Sequence, residues 1–591
     1  MLYERSGALM ERKFSEYLIP SILTSAAVSL ANVANSIIVG NLLGETALSA
    51  IGVSLPVVYA INAFSLLFVV GGAICASIAG GRRETDKANH IFTLTFVVGM
   101  SFMFALLAAS LLFIRPIAYT LARGNATLVN VTLSYITPLV FLGPVMLLIF
   151  GMAQFIRADG KPRVAAWIVI AASLFNVILT YVLIRFLDTG IAGAGLARVL
   201  GYLAAAFALV PYLRSGQRTF RFIKPRKSDF GQIWQITGVG LPKALAQGMT
   251  SLRILMLNIL IVSSLGAPGM AAMALCSSAM MIAVIFVSGT TDTLLPIVGT
   301  LYGEKDHAGI RFTVRRGFLF LIAATTALMT LFLVMPGQVG RLFGIVSAEG
   351  IAVATPALRM YALSLPVYGC NLLLQSFFQI TGRAKLASLM TTLNGFVFVV
   401  MFATLIAGLN GEFIWLAFLL AELATLLVVL GLSVRIRKKE DANGMLLLRG
   451  ECGDGIAADF SIPATVEASA GLSGQVVRFC RENGVDESGA ARIGVAIEEM
   501  AVNTSLYGHK NKKGVIDVFV RIMEQELILR LRDNGVPFNP AHYRSSENEE
   551  FTIEGIELVR RLAKNIVYTR QLGFNVTIIT VLRNSGWEAA N

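Results

Sequence analysis

A chain of 591 residues that is 55% hydrophobic and only 14% charged, with mean hydropathy +0.71, excludes an ordinary soluble protein, which carries about 25% charged residues. Its net charge of +13 is not the footprint of a nucleic-acid partner, because the Lys and Arg cluster in short segments between apolar runs, as membrane topology demands. The five cysteines are scattered without a CxxC pair and read as packing residues rather than as a metal site.

The opening MLYERSGALMERKFSEYLIP has no short apolar core followed by a small-residue cleavage site, so the first hydrophobic run reads as a retained spanning helix. A helix needs about 20 apolar residues to cross the hydrocarbon core. Twelve candidates follow in order: 16–42, 51–79, 91–114, 130–156, 164–186, 190–213, 239–265, 270–300, 315–336, 353–379, 386–408 and 412–434. Alternating ten-residue strands, the mark of a barrel, are missing. Basic residues such as Arg82, Arg83, Lys161, Arg163, Arg226, Lys227, Arg383 and Lys385 fall on one side, and only Arg115, Arg123, Arg185 and Arg341 on the other. Positive-inside bias therefore predicts both termini in the cytoplasm.

The membrane part repeats itself. Gly44 corresponds to Gly266, Gly81 to Gly303, Pro144 to Pro366 and Gly160 to Gly382, each at an offset of 222 residues. Two parallel six-helix lobes are expected, 1–222 and 223–437, with a substrate site between them. The stretches NVANSIIVGNLLGETALSAIG, GGAICASIAGGRRETDKA, FIRADGKPRVAA and GIAGAGLARVLGY, in this order, resemble the multidrug and toxic compound extrusion (MATE) family over residues 14–436. The resemblance implies a central cavity and export of amphipathic, often cationic, compounds against H+ or Na+.

Two positions depart from that family. Asn35 stands where relatives often carry a coupling Asp, and Thr180 where they often carry a second. The deep carboxylates are instead Asp292 and Glu422, with Arg253 as a candidate partner. Intramembrane charge is costly and usually functional; the competing reading for each is a structural ion pair. Gln247, Asn258, Asn371 and Gln375 are candidates for the cavity wall by the same resemblance, or for hydrogen bonds between helices.

After a linker at 438–455 the pattern changes to an α+β layer over 456–591. IAADFSIPA reads as a strand, Val466–Asn483 and Asp486–Tyr507 as helices, GVIDVFVRIM and ELILRLRD as paired strands, Gly555–Ala563 as a helix, and NIVYTRQLGFNVTIITVLR as a closing hairpin. Glu499 and Asn503 share one helical face. The first could accept a proton, and the second could offer an amide oxygen to Mg2+. Asp533 precedes a tight turn at Gly535 and could accept from an adenine amino group. Gly555 opens a helix whose free N–H groups suit phosphate.

This order of motifs resembles the GHKL, or Bergerat, ATPase fold, and within it the anti-sigma-factor serine kinases, over 456–584. The resemblance implies ATP and Mg2+, Glu499 as base, Asn503 as metal ligand, Asp533 as adenine reader and 536–554 as a mobile lid. Glu557 stands where that family has a second glycine. No histidine precedes the domain as a phosphoacceptor, and no GxxxxGK[ST] is present. The expectation is an exporter carrying a domain that phosphorylates or sequesters a cytoplasmic regulatory protein, such as a sigma factor or an anti-sigma antagonist. The alternatives are a ligand sensor without net transport and an inactive ATPase acting as a binding module.

Overall fold

The computed structural model describes residues 5–122, 125–216, 218–342, 348–440, 442–443, 446–449, 455–509, 514–541 and 553–583. It forms two compact units: Phe14–Leu447, and Leu448–Asn591 together with Met1–Lys13.

The larger unit is helical throughout. Its first half runs α1 (Ala8–Leu43), α2 (Glu45–Val53), α3 (Leu55–Gly81), α4 (Thr85–Leu112), α5 (Ile114–Leu121), α6 (Ala126–Leu139), α7 (Leu142–Ala158), α8 (Pro162–Arg185), α9 (Gly190–Ala205) and α10 (Val210–Arg214). The second half runs α11 (Gln232–Gly303), α12 (His307–Val334), α13 (Pro336–Leu342), α14 (Ala348–Ala362), α15 (Leu365–Ile380), α16 (Ala384–Thr392), α17 (Phe398–Leu409) and α18 (Leu416–Glu440). Among the described residues, ten helices are long and apolar enough to span a bilayer, or twelve if each bent pair counts as one span. The two bent pairs are α6 with α7 and α14 with α15, both bent by 43°. Each break precedes a member of the repeat, Pro144 or Pro366, and proline is tolerated in the first turn because its missing N–H is unpaired there anyway.

The duplication is visible in the backbone. Gly44 has φ 79° and Gly266 φ 61°, Arg83 64° and Lys305 59°, Gly160 86° and Gly382 79°. These left-handed turns recur at the offset of 222 and stop or bend the helices at equivalent points. Gly266 is the break inside α11, where one helix was expected to end and the next to begin. Gly81 and Gly303 meet each other: a Cβ on Gly81 would lie 3.0 Å from the Gly303 Cα, and one on Gly303 would lie 2.9 Å from the Gly81 Cα. A residue and its repeat mate in mutual contact mark the axis relating the halves.

The smaller unit is a two-layer domain. Five antiparallel strands, β1 (Ile456–Pro463), β2 (Val515–Ile522), β3 (Glu526–Asp533), β4 (Asn565–Gln571) and β5 (Phe574–Leu582), pair in the order β1-β2-β3-β5-β4. Helices α19 (Val466–Glu482), α20 (Glu487–Asn503) and α21 (Ile553–Leu562) complete it. Thr465 and Asp486 cap the first two, accepting from Ala468 N at 3.3 Å and Gly489 N at 3.1 Å. Strand alternation sends Val518, Val520, Leu529 and Leu531 into one core with Leu472, Val476, Ile493 and Ile497. It sends Asp517, Phe519, Arg530 and Arg532 to the opposite face.

The chain's own N-terminus covers part of that opposite face. The Arg5 guanidinium lies 4.7 Å over the Phe519 ring and 3.4 Å from an Asp459 carboxylate oxygen; Ser6 N donates to Ser461 Oγ at 3.1 Å; Lys13 Nζ lies 4.7 Å over Phe574. In sequence these residues look only like the approach to the first span.

Candidate functional site

In the smaller unit, α20 presents Glu499 and Asn503 one turn apart, as their spacing requires. Asn503 is buried, and its Nδ2 has no partner among the described residues. Such an orphaned amide is expensive in a native fold unless something absent from the apoprotein satisfies it. After Asn503 the helix widens into a π-turn, Thr504–Gly508, a distortion common at functional sites. The Gly508 carbonyl accepts from Val536 N at 2.8 Å. This contact joins the end of α20 to the turn at Gly535. A side chain at Gly535 would fall 2.4 Å from that carbonyl, so only glycine allows the approach.

Asp533 ends β3. Its Oδ1 accepts from Gly535 N at 2.7 Å and from Asn575 Nδ2 at 2.9 Å, with His509 Nε2 at 3.5 Å. Its Oδ2 makes no hydrogen bond to the described residues, so one oxygen is held and the other is left for a ligand. Asn575 is the cross-strand partner of Asp533. Its own Oδ1 accepts from Tyr568 Oη at 2.8 Å and Arg570 Nη1 at 3.1 Å. The sequence reading missed Asn575 and His509. For Asn575 the signal was available, as a polar residue opposite Asp533 once the strands are put in register.

Helix α21 brings Gly555 against Glu499: a Cβ there would lie within 1.9 Å of Glu499 Oε2. The catalytic candidate therefore touches the helix start assigned to phosphate. Glu557 is solvent-exposed. Most of the expected lid, 542–552, lies outside the described residues.

In the membrane unit the structure sorts the deep polar residues into three groups. Asn35 Nδ2 donates to Asn176 Oδ1 at 2.5 Å, and on the same face of α1 Asn32 Oδ1 accepts from Arg198 Nη2 at 2.5 Å. Asp292 is paired with Arg157 at 3.3 Å, which corrects the expected pairing with Arg253. Arg157 lies just beyond the span expected over 130–156, but α7 extends past it and it is itself buried. Glu422 is buried on α18, where Asn371 Nδ2 reaches its Oε2 at 2.6 Å and its backbone carbonyl at 2.9 Å. Asn394 Nδ2 lies 3.4 Å from the same Oε2. Asn394 occupies a π-helical stretch, Leu393–Val397, and no sequence signal distinguished it. Gln247 is half-buried on α11, and its side chain makes no hydrogen bond to the described residues.

Comparison with known proteins agrees with this division. The MatE family profile matches residues 20–182 and 242–405, two segments whose starts differ by 222. A histidine kinase-like ATPase domain profile matches residues 462–581. The multidrug export protein MepA of Staphylococcus haemolyticus is 24% identical over 409 residues, 69% of this chain and 89% of that protein. Among solved structures, an aspartate-to-asparagine mutant of the Vibrio cholerae MATE transporter VcmN gives a TM-score of 0.69 at 19% identity, covering 74% of this chain and 99% of that one. A MOP superfamily transporter of Pyrococcus furiosus, whose reverse pocket polarity was taken to suggest a different function, gives 0.65 at 18% identity, covering 72% and 96%. The chain belongs to the MatE family of multi-pass membrane transporters and carries, in addition, a C-terminal histidine kinase-like ATPase domain.

Proposed function

We propose that the protein exports amphipathic small molecules across a bacterial inner membrane in exchange for H+ or Na+, and that its C-terminal domain binds ATP with Mg2+ in the cytoplasm to act on a regulatory protein. The observation that carries the transport reading is the Glu422 cage. The spanning helices of the second half hold a carboxylate between the amides of Asn371 and Asn394, with no cation in salt-bridge contact among the described residues. Such a group can exchange a proton or accept a small cation as the surrounding helices move. The corresponding chemistry is missing from the first half, where Asn35 and Asn176 are both amides. The test is accumulation of a dye panel, ethidium and carboxyfluorescein, in cells producing the wild type or Glu422→Gln, with and without a protonophore or external Na+. Export by the wild type that is lost in the variant is expected; equal export by both removes Glu422 from coupling.

The ATPase site fits ATP and Mg2+ on its own residues: a buried amide at Asn503 whose nitrogen has no partner among the described residues, a carboxylate at Asp533 with one oxygen unbonded among them, and the first turn of α21, which begins at Ile553 and holds Gly555. Bound ATP would supply the phosphoryl group. Asp533 Oδ2 would accept from the adenine amino group, Asn503 would turn its amide oxygen toward the metal, and Glu499 Oε2 would take the proton of a serine hydroxyl. Incubating the full chain with labelled ATP and candidate anti-sigma-antagonist-type proteins tests this, and label transfer unchanged in Glu499→Ala removes Glu499 as base. The Asn35–Asn176 pair favours a second reading, a ligand sensor without net transport. It is distinguished by ligand-dependent phosphotransfer without dye movement.

A further inference from the structure

The charges inside the membrane unit have an unusual balance. The carboxylates of residues 14–213 are Glu16, Glu45, Glu84, Asp86, Asp159 and Asp188. Glu16 stands sixteen residues, about 24 Å along α1, from Asn32, and the others lie near helix ends or between helices, so none shares the depth of Asn32. The first half does carry Arg198, eight residues into α9, about 12 Å from the helix start at 1.5 Å per residue. Its partner Asn32 lies eleven residues, or about 16 Å, from the end of α1. Both depths fall near the middle of a core about 30 Å thick. Arg198 is half-buried, and among the described residues its side chain is held only by an amide.

The second half adds two more cations. Arg253 is thirteen residues before the break at Gly266, and Lys243 is eleven residues into α11; both are half-buried. Arg253 lies on the part of α11 that precedes Gly266, and α11 packs against α3 of the first half as well as α14 and α15 of the second. Of the two deep carboxylates, Asp292 is neutralised by Arg157. Among the described residues, the deep cations Arg198, Lys243 and Arg253 thus outnumber the one deep carboxylate without a salt bridge, Glu422. A guanidinium stays charged at any physiological pH, and a fixed cation at this depth persists only with an anion, water or polar partner.

We propose that the transported compounds are organic anions, amphiphiles bearing a carboxylate, sulfonate or phosphate, and that Arg198 and Arg253 bind the anionic group from opposite halves. The assignment rests on the transport reading and replaces the cationic preference that family resemblance suggested. A planar guanidinium offers paired N–H donors to two oxygens of such a group. Asn32 orients Arg198 through one nitrogen, leaving the others for the ligand.

The full chain in lipid nanodiscs is titrated with 6-carboxyfluorescein and, separately, ethidium, read by fluorescence anisotropy; the same dyes are followed in efflux from producing cells. Tighter binding of carboxyfluorescein, a loss of at least tenfold in Arg198→Gln, and a smaller loss in Arg198→Lys, which keeps the charge but not the paired donors, are expected. Arg253→Gln should weaken the same dye. Thermal unfolding of each variant in the same nanodiscs controls for folding, since a merely structural role would lower it along with binding. Ethidium bound and exported with carboxyfluorescein ignored overturns the anion assignment and leaves the exporter reading standing. Arg-dependent carboxyfluorescein binding with neither dye exported upholds the site and removes the exporter reading. Binding of carboxyfluorescein unaffected by either arginine substitution overturns the site.

Discussion

Asp533→Asn isolates the adenine contact from the architecture around it. The substitution keeps an oxygen where Oδ1 now accepts from Gly535 N at 2.7 Å and Asn575 Nδ2 at 2.9 Å, so the turn should hold. It converts the free Oδ2 into an amide donor. An acceptor for the adenine 6-amino group becomes a second donor facing it. A hydrogen bond to a charged group contributes about 1.5–3 kcal/mol, so ATP should bind about ten- to a hundredfold more weakly. Guanine carries a carbonyl at that position, which the new amide can satisfy, so GTP should gain where ATP loses. Equilibrium binding of both nucleotides to the full chain in nanodiscs, at fixed Mg2+, gives the two affinities. Asp533→Ala serves as the harsher control, because it also removes the Oδ1 acceptor and should lower domain stability by about 1–3 kcal/mol. Asn575 would remain partly satisfied through the carbonyls of Gly535 and Val536. An unchanged ATP-to-GTP preference in Asp533→Asn would refute base reading by this carboxylate.

Gly555→Ala places a methyl group within 1.9 Å of Glu499 Oε2; the carboxylate can swing aside, so thermal stability should barely change while phosphotransfer falls more than ATP affinity does. Gly81→Val drives a side chain into the Thr300 carbonyl, which is rigid backbone and lies 2.1 Å from where the new Cβ would sit; folded yield from detergent-solubilised membranes should drop sharply, and a variant as abundant and as heat-stable as the wild type would contradict the axis contact. Arg5→Ala removes a cation stacked on Phe519 and paired with Asp459, interactions together worth about 1–2 kcal/mol; amide exchange in β1 and β2 of the full chain should quicken, and unchanged exchange there would show that the N-terminal segment does not hold the sheet.

How far these features could be read in advance depended on whether their signal was local. The repeat was legible because its markers are glycines and prolines, whose backbone demands are intrinsic: Gly44, Gly160, Gly266 and Gly382 all adopt positive φ. The strands of the ATPase domain were legible from alternation, and α20 from its apolar spacing. Partnerships were not. Arg157 falls between two expected spans by its neighbours in sequence, yet its guanidinium pairs with Asp292, 135 residues away. Asn394 is a single amide in an apolar run, and only the π-helical stretch and the approach of α18 make it a ligand of Glu422. The N-terminal segment gave no sign of a role in the ATPase domain, because Arg5 and Lys13 look like ordinary flanking cations until Phe519 and Phe574 are placed beneath them.

The offset of 222 separates what duplication preserved from what it did not. Backbone punctuation is shared, but the deep polar groups are not. Arg198 corresponds to Leu420, Asn32 to Ile254, Asn35 to Leu257 and Asn176 to Phe398; in the other direction Glu422 corresponds to Leu200, Asn371 to Ile149, Asn394 to Ala172 and Arg253 to Ala31. Each of these eight residues has an apolar mate, unlike Lys243, Gln247 and Arg157, whose mates are Ser21, Ser25 and Gln379, so none of the eight is needed to hold up a six-helix half. A polar side chain deep in a bilayer that the fold can do without carries a cost that folding does not offset. That argues for roles in binding or coupling and divides them between the halves. The first half holds a permanent cation and amides, suited to recognising an anion but unable to titrate. The second holds Glu422, the one deep carboxylate without a salt bridge among the described residues, able to release or accept a proton or small cation. A rocking motion that alternately exposes the two sides would then change the field of Arg253 on Glu422 whenever an anion arrives or leaves, and would couple substrate to ion without any carboxylate at position 35.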